Sequence, residues 1–136
     1  MQLNAYLTFN GNCATALKFY EQHLGAKVEM MMTFGESPAA EQVPAGWRDK
    51  VMHARLTIGG SILMASDAPP DRYNEPKGFS VSLGVDSPAQ AERIFASLAE
   101  GGTVQMPLQQ TFWAARFGSV VDKFRIPWMV NCEQSA

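Results

Sequence analysis

The sequence predicts an α+β fold made of two βαβββ modules, and two observations support this prediction. The first is an internal repeat, in which FNGNCATALKFYEQHLGAKVEM at residues 9–30 returns as VDSPAQAERIFASLAEGGTVQM at residues 85–106. The second is that, in each copy, a segment with two-residue alternation leads into a segment with helical spacing of apolar residues. The predicted helix then stops at a glycine. Because one module is built twice, we expect a functional site where the two halves face each other.

Length and composition indicate one domain, residues 1–136, of an ordinary globular protein. The net charge of −2 argues against nucleic acid as a partner, since nucleic-acid binding needs a clustered basic surface. No apolar run reaches the ~18 residues of a membrane span, and no secretion signal is recognised. The two distant cysteines, Cys13 and Cys132, are expected to be reduced thiols of a cytoplasmic protein.

The first module, residues 1–67, is predicted from hydrophobic spacing and turn residues. Asn12 is expected to cap the helix through its side chain, and Gly25 to end it in a left-handed conformation. Residues 35–50 have no periodicity and are expected to form a long loop. The predicted elements are a strand at 3–10, a helix ending at 24, and strands at 28–34, 51–58 and 61–66.

The second module, residues 78–133, follows a proline-rich linker at 68–77 and repeats the same order. Ser87 and Pro88 form a strong helix start, because serine caps the helix and proline suits its first position. The expected buried stripe of this helix consists of Ala91, Ile94, Phe95 and Leu98. The predicted strands are 79–85, 104–108, 111–118 and 126–132, with a turn at 119–125 between the last two.

Three segments resemble the vicinal-oxygen-chelate superfamily, which includes glyoxalase I, extradiol dioxygenases and bleomycin-resistance proteins, and most closely its PhnB-like branch. They are TFNGNCATALKFYEQHLGA at 8–26, VMHARLTIGGSILMASD at 51–67 and FWAARFGSVVDKFRIPWMVNCE at 112–133. The resemblance implies an eight-stranded, cup-shaped mixed sheet flanked by helices, and a homodimer.

Enzymes of this superfamily hold a divalent metal with four side chains, which are usually His, Gln or Glu. The matching positions in this sequence are Ala5, Met64, Ser80 and Met129, and none of them suits a hard cation. We therefore expect no metal and no other cofactor. The same matching would place Ala5, with Leu7 and Phe9, on the face of the site.

Polarity alternation along the first strand gives the opposite result. It sends Asn4, Tyr6 and Thr8 to the open side of the sheet. We prefer the family matching, because its spacing to the following helix needs no gap, and Tyr6 is then not expected in the site.

The candidate ligand-binding residues are His53, Arg55, Met64, Ser80, Trp113 and Arg116, and no catalytic residue is assigned. His53 could be a general base, a polar contact for an anionic ligand, or a hydrogen-bonded structural histidine. Arg55 and Arg116 are interpreted as equivalent residues of the two modules that either bind an anion together or form surface ion pairs. Trp113 could stack on a flat ligand.

The sequence has no GxSxG, P-loop, GxGxxG or CxxC motif, so hydrolase, nucleotide and redox functions lack support. We expect a protein that binds an unknown small molecule without a catalytic metal. The alternatives are a metal-dependent lyase or dioxygenase, with His53 as its best candidate ligand, and a dimeric subunit whose site is vestigial.

Overall fold

The computed structural model describes residues 1–134, and within that range the chain forms eight strands and two α-helices. Their order confirms the α+β fold of two βαβββ modules. The elements are β1 (Ala5–Phe9), α1 (Cys13–Leu24), β2 (Lys27–Thr33), β3 (Val51–Ile58), β4 (Ser61–Asp67), β5 (Val81–Val85), α2 (Pro88–Ala99), β6 (Thr103–Gln109), β7 (Ala114–Val121) and β8 (Pro127–Glu133). Three short 3-10 turns interrupt the long loop between β2 and β3.

The strands form two four-stranded mixed sheets, with orders β1-β4-β3-β2 and β5-β8-β7-β6. The β1–β4 and β5–β8 pairs are parallel, and the other pairs are antiparallel. The chain divides into two compact units, one ending at Asn74 and the other beginning at Glu75. Neither helix is long and apolar enough to cross a membrane, within the part of the chain described.

In the first unit, α1 covers one face of the sheet. The helix buries Ala16, Leu17, Tyr20 and Leu24. The ring of Phe9 on β1 lies 6.5 Å from the ring of Tyr20, and both residues are fully buried. Because side chains alternate along a strand, the other face carries the residues between the buried ones. We call this second face, opposite α1, the open face of the first sheet.

In the second unit, α2 covers the sheet through the stripe that the sequence predicts. Ser87 accepts a hydrogen bond from the Gln90 amide, and Pro88 begins the helix, as expected. Gly118 on β7 lies so close to α2 that a β-carbon there would be 2.8 Å from Phe95 Cε2. The buried residues of the helix are Ala91, Ile94, Phe95 and Leu98.

The start of α1 corrects one prediction. Asn12 stands at the cap position, but its side chain makes no capping hydrogen bond. The carboxylate of Asp67, at the end of β4, accepts a hydrogen bond from the Cys13 amide instead. The side-chain acceptor at the start of α1 is therefore Asp67, 54 residues after Cys13, and not the neighbouring Asn12. Gly25 has a φ of 70° and ends the helix as predicted.

The boundaries of β7 correct another prediction. Residues 119–121 belong to the strand, whereas 111–113 precede it. Thr111 Oγ1 accepts hydrogen bonds from the amides of Trp113 and Ala114, which makes this stretch a turn. The turn after β7 is short because the buried Asp122 carboxylate accepts the amides of Phe124 and Ile126. Strand β5 likewise starts at Val81, two residues later than expected.

Candidate functional site

A row of four side chains crosses the open face of the first sheet. Met64 on β4 is paired with Tyr6 on β1 and with Arg55 on β3, and Arg55 is paired with Met30 on β2. Directly paired residues project from the same face of a sheet. Tyr6 and Arg55 therefore lie on either side of Met64, with Met30 at the edge.

His53 joins this surface through a contact with Tyr6. The Tyr6 hydroxyl lies 3.0 Å from His53 Nδ1, and in the tautomer protonated on Nε2 the hydroxyl donates this hydrogen bond. The two rings are stacked, with centroids 5.7 Å apart and an angle of 25° between their planes. Because β4 lies between β1 and β3, the Tyr6 side chain reaches over β4 to make this contact. The histidine is thus oriented by a residue on a different strand.

Arg55 is exposed and makes no hydrogen bond or ion pair with any of residues 1–134. Arg116 differs: its Nε lies 3.3 Å from Glu92 Oε1 on α2, and its Nη1 donates to the Ala115 carbonyl oxygen. Arg116 is also paired with the buried Cys132, on the side of the second sheet that faces α2. The predicted equivalence of the two arginines is therefore wrong.

The first strand settles the conflict between family matching and polarity alternation. Leu7 and Phe9 are 2% and 0% exposed and lie on the side of α1, whereas Tyr6 is 44% exposed on the open face. Our preference for the matching was therefore wrong, because Ala5 shares the face of Leu7. The alternation of Asn4, Tyr6 and Thr8 was the signal that could have found Tyr6.

Ser80 and Met129 belong to a groove in the second unit. Met129 on β8 is paired with Ser82 and Ser119, away from α2, and Ser80 immediately precedes β5. The groove has a volume of about 380 Å³. Its walls include Lys77, Phe79 and Gln105 as well as these two residues.

Trp113 lies in the loop before β7 and is 50% exposed. Its ring contacts Phe112 and Phe117 edge to face, at centroid distances of 4.7 and 5.5 Å. The tryptophan is thus the middle of a small aromatic group at one end of the second sheet. The structure does not bring it into contact with Ser80 or Met129.

Asp67 anchors the start of the strand that carries His53 and Arg55. Its Oδ2 accepts the Val51 amide at the first residue of β3, and its Oδ1 accepts the Cys13 amide, both at 2.9 Å. Burial, and then the nearby Asp67 charge, raise the pKa of the Cys13 thiol. Both cysteines are buried and unbridged.

The chain belongs to the glyoxalase/bleomycin resistance protein/dioxygenase superfamily, whose family model matches residues 2–130. This confirms the superfamily that the sequence segments predicted. The chain is 40% identical over 139 residues to protein YjdN of Escherichia coli K12, covering 96% of this chain and 95% of YjdN.

Two solved structures share the architecture. The crystal structure of protein PA1353 from Pseudomonas aeruginosa is 57% identical, with a TM-score of 0.89 and 99% of each chain covered. A PhnB protein from Bacillus cereus is 20% identical, with a TM-score of 0.82, and covers 97% of this chain and 99% of its own. At that identity, the second likeness shows the fold alone.

The residues present do not fit the divalent metal that the superfamily suggests. Within residues 1–134, no group of three His, Cys, Asp or Glu side chains could hold a metal ion. The matched positions carry a methyl group at Ala5, thioethers at Met64 and Met129, and one hydroxyl at Ser80. Neutral sulfur and methyl groups are poor ligands for hard cations, so no step through a metal follows from this site.

Proposed function

We propose that this protein is a cytoplasmic, homodimeric small-molecule-binding protein that works without a catalytic metal. The ligand binds on the open face of the first sheet, at Tyr6, His53, Arg55 and Met64. The buried, unbridged thiols support a reducing compartment. The strand β6, a sheet edge exposed along almost its whole length, supports pairing with a second copy.

The observation that carries this proposal is the unpaired guanidinium of Arg55 beside the Tyr6–His53 pair. Asp67, which ties α1 to β3, is buried and bonded through both carboxylate oxygens. Arg55 instead stands between two methionines with its donors unused by residues 1–134. A few convergent polar groups on a mostly apolar surface are typical of small-molecule sites.

A thermal-shift screen with a chemically diverse set of small molecules tests the proposal. A ligand at a hundredfold excess over its Kd should stabilise the native state by about 2.7 kcal/mol. Tyr6→Ala and His53→Ala should reduce the shift. Lys18→Ala should leave it unchanged, because Lys18 is an exposed residue on α1.

Two results would count against this function. One is that no compound raises the melting temperature of the wild-type protein, which is the result expected if the site is vestigial. The other is that both open-face variants respond as strongly as the wild type.

The alternative is a metal-dependent lyase or dioxygenase. His53 is the one imidazole on the open face, and its Nδ1 is engaged by Tyr6. A single imidazole with water would bind a divalent ion weakly. Elemental analysis that finds about one metal ion per chain, lost in His53→Ala, would favour the enzyme.

A further inference from the structure

We infer that the ligand of the open face is a small aromatic carboxylate, one flat ring carrying a single negative charge. This inference rests on the proposed function and specifies its ligand. Arg55 binds the carboxylate, and the ring lies over Met64 against the Tyr6–His53 pair.

The unbonded guanidinium of Arg55 indicates that the ligand carries an anionic group. Its guanidinium is exposed and is bonded to none of residues 1–134. A guanidinium presents parallel N–H donors that match the two oxygens of a carboxylate. The other arginine weighed for this role, Arg116, is already paired with Glu92.

The charged neighbours of Arg55 indicate that the ligand carries a single negative charge. Thr57, two residues along the same face of β3, is paired with Lys27 and donates a hydrogen bond to Glu29 on β2. The charges of Lys27 and Glu29 offset each other at this edge, which leaves one positive charge, on Arg55. A dianion such as a phosphate ester would leave one negative charge unmatched at this surface.

The aromatic ring of the ligand follows from Tyr6, across Met64 from Arg55, and from His53, two residues before Arg55 on β3. The Tyr6 and His53 rings form a stacked surface, and Tyr6 is 44% exposed. Aromatic rings attract further rings in offset or edge-to-face contacts, and thioethers such as that of Met64 contact ring edges favourably. Met30, 39% exposed, extends this thioether surface beyond Arg55.

The spacing fits one ring and not an extended ligand. Tyr6 and Arg55 stand on strands separated by β4, so their backbones are about 10 Å apart. The Tyr6 side chain reaches over β4 towards β3, where it contacts His53. A ring with a directly attached carboxylate places its charge at Arg55 and its face at Tyr6.

Isothermal titration calorimetry of the 136-residue chain tests this with four probes: benzoate, benzamide, cyclohexanecarboxylate and phenyl phosphate. Benzoate should bind most tightly. Benzamide lacks the charge, cyclohexanecarboxylate lacks the flat ring, and phenyl phosphate carries the second charge. Arg55→Gln should weaken benzoate by about tenfold or more and leave benzamide unchanged. Arg116→Gln is the matched control and should behave as the wild type.

The outcomes separate this inference from the proposed function. Benzamide binding as tightly as benzoate, or benzoate binding unchanged by Arg55→Gln, overturns the aromatic carboxylate. Phenyl phosphate binding more tightly than benzoate overturns it as well, in favour of a dianion. If none of the four probes binds while other compounds in the thermal-shift screen do, the inference fails and the proposed function stands. If no compound binds at all, both fail.

Discussion

Replacing Asp67 by alanine should cost the protein a large part of its stability, although Asp67 belongs to no apolar cluster. Its two carboxylate oxygens each accept one backbone amide, from Cys13 and from Val51. Cys13 and Val51 are 0% and 1% exposed, so water cannot replace the carboxylate without local opening.

The magnitude follows from the number of donors left without an acceptor. A buried donor that loses its partner costs about 1–3 kcal/mol, so two such donors cost about 2–6 kcal/mol. The free energy of unfolding of a domain is typically about 5–15 kcal/mol. Asp67→Asn keeps one acceptor oxygen and turns its NH2 group toward the other amide, so we expect a loss close to that of alanine.

Urea unfolding followed by circular dichroism measures the effect. With a slope of about 2 kcal/mol per molar urea, Asp67→Ala should lower the midpoint by about 1–3 M. Asp71→Ala, at an exposed aspartate, is the control and should change stability by less than about 0.5 kcal/mol. An Asp67→Ala midpoint equal to that of the control would refute this account of the buried carboxylate.

Three further predictions concern the metal, the dimer and the packing of the second unit. Treatment with a chelator should leave the melting temperature unchanged, because the matched positions offer no good ligands; a drop on chelation would indicate a structural metal. Light scattering at micromolar concentration should give twice the chain mass of 14.9 kDa, and a monomer mass would contradict the proposed homodimer. Gly118→Ala should destabilise the protein by about 1–3 kcal/mol, because its new β-carbon would lie 2.8 Å from Phe95 and 2.9 Å from the Leu108 backbone. Gly60→Ala, where no atom lies within 4 Å, is its control, and equal midpoints for the two variants would argue against the close packing.

The helices were predictable from the sequence because their determinants are local. Four residues at three- and four-residue spacing made the buried stripe of α2, and the serine–proline pair fixed its start. The left-handed glycine after α1 also followed from its position alone. The repeat of these signals was enough to predict two βαβββ modules.

The faces of the strands were harder to assign, because a shift of one residue moves a side chain to the opposite side of a sheet. Family matching favoured the face of Ala5 for the site, whereas the register pairs Tyr6, not Ala5, with Met64 on the open face. The arginines were misjudged for a related reason. Arg116 shares the face of the buried Val120 in the regular β7–β8 register, whereas Arg55 alternates with the buried Ala54 and Leu56, so HAR and AAR place their arginines on opposite faces.

The sequence by itself determined the superfamily, the order of elements and the candidates His53, Arg55 and Met64, because these depend on residue type and short-range spacing. Only the tertiary structure decided which of them share a surface. The bond from Tyr6 to His53 spans 47 residues, and the bond from Asp67 to the Cys13 amide spans 54. Such contacts depend on strand pairing, which brings distant segments together through backbone hydrogen bonds that carry little information about side-chain type.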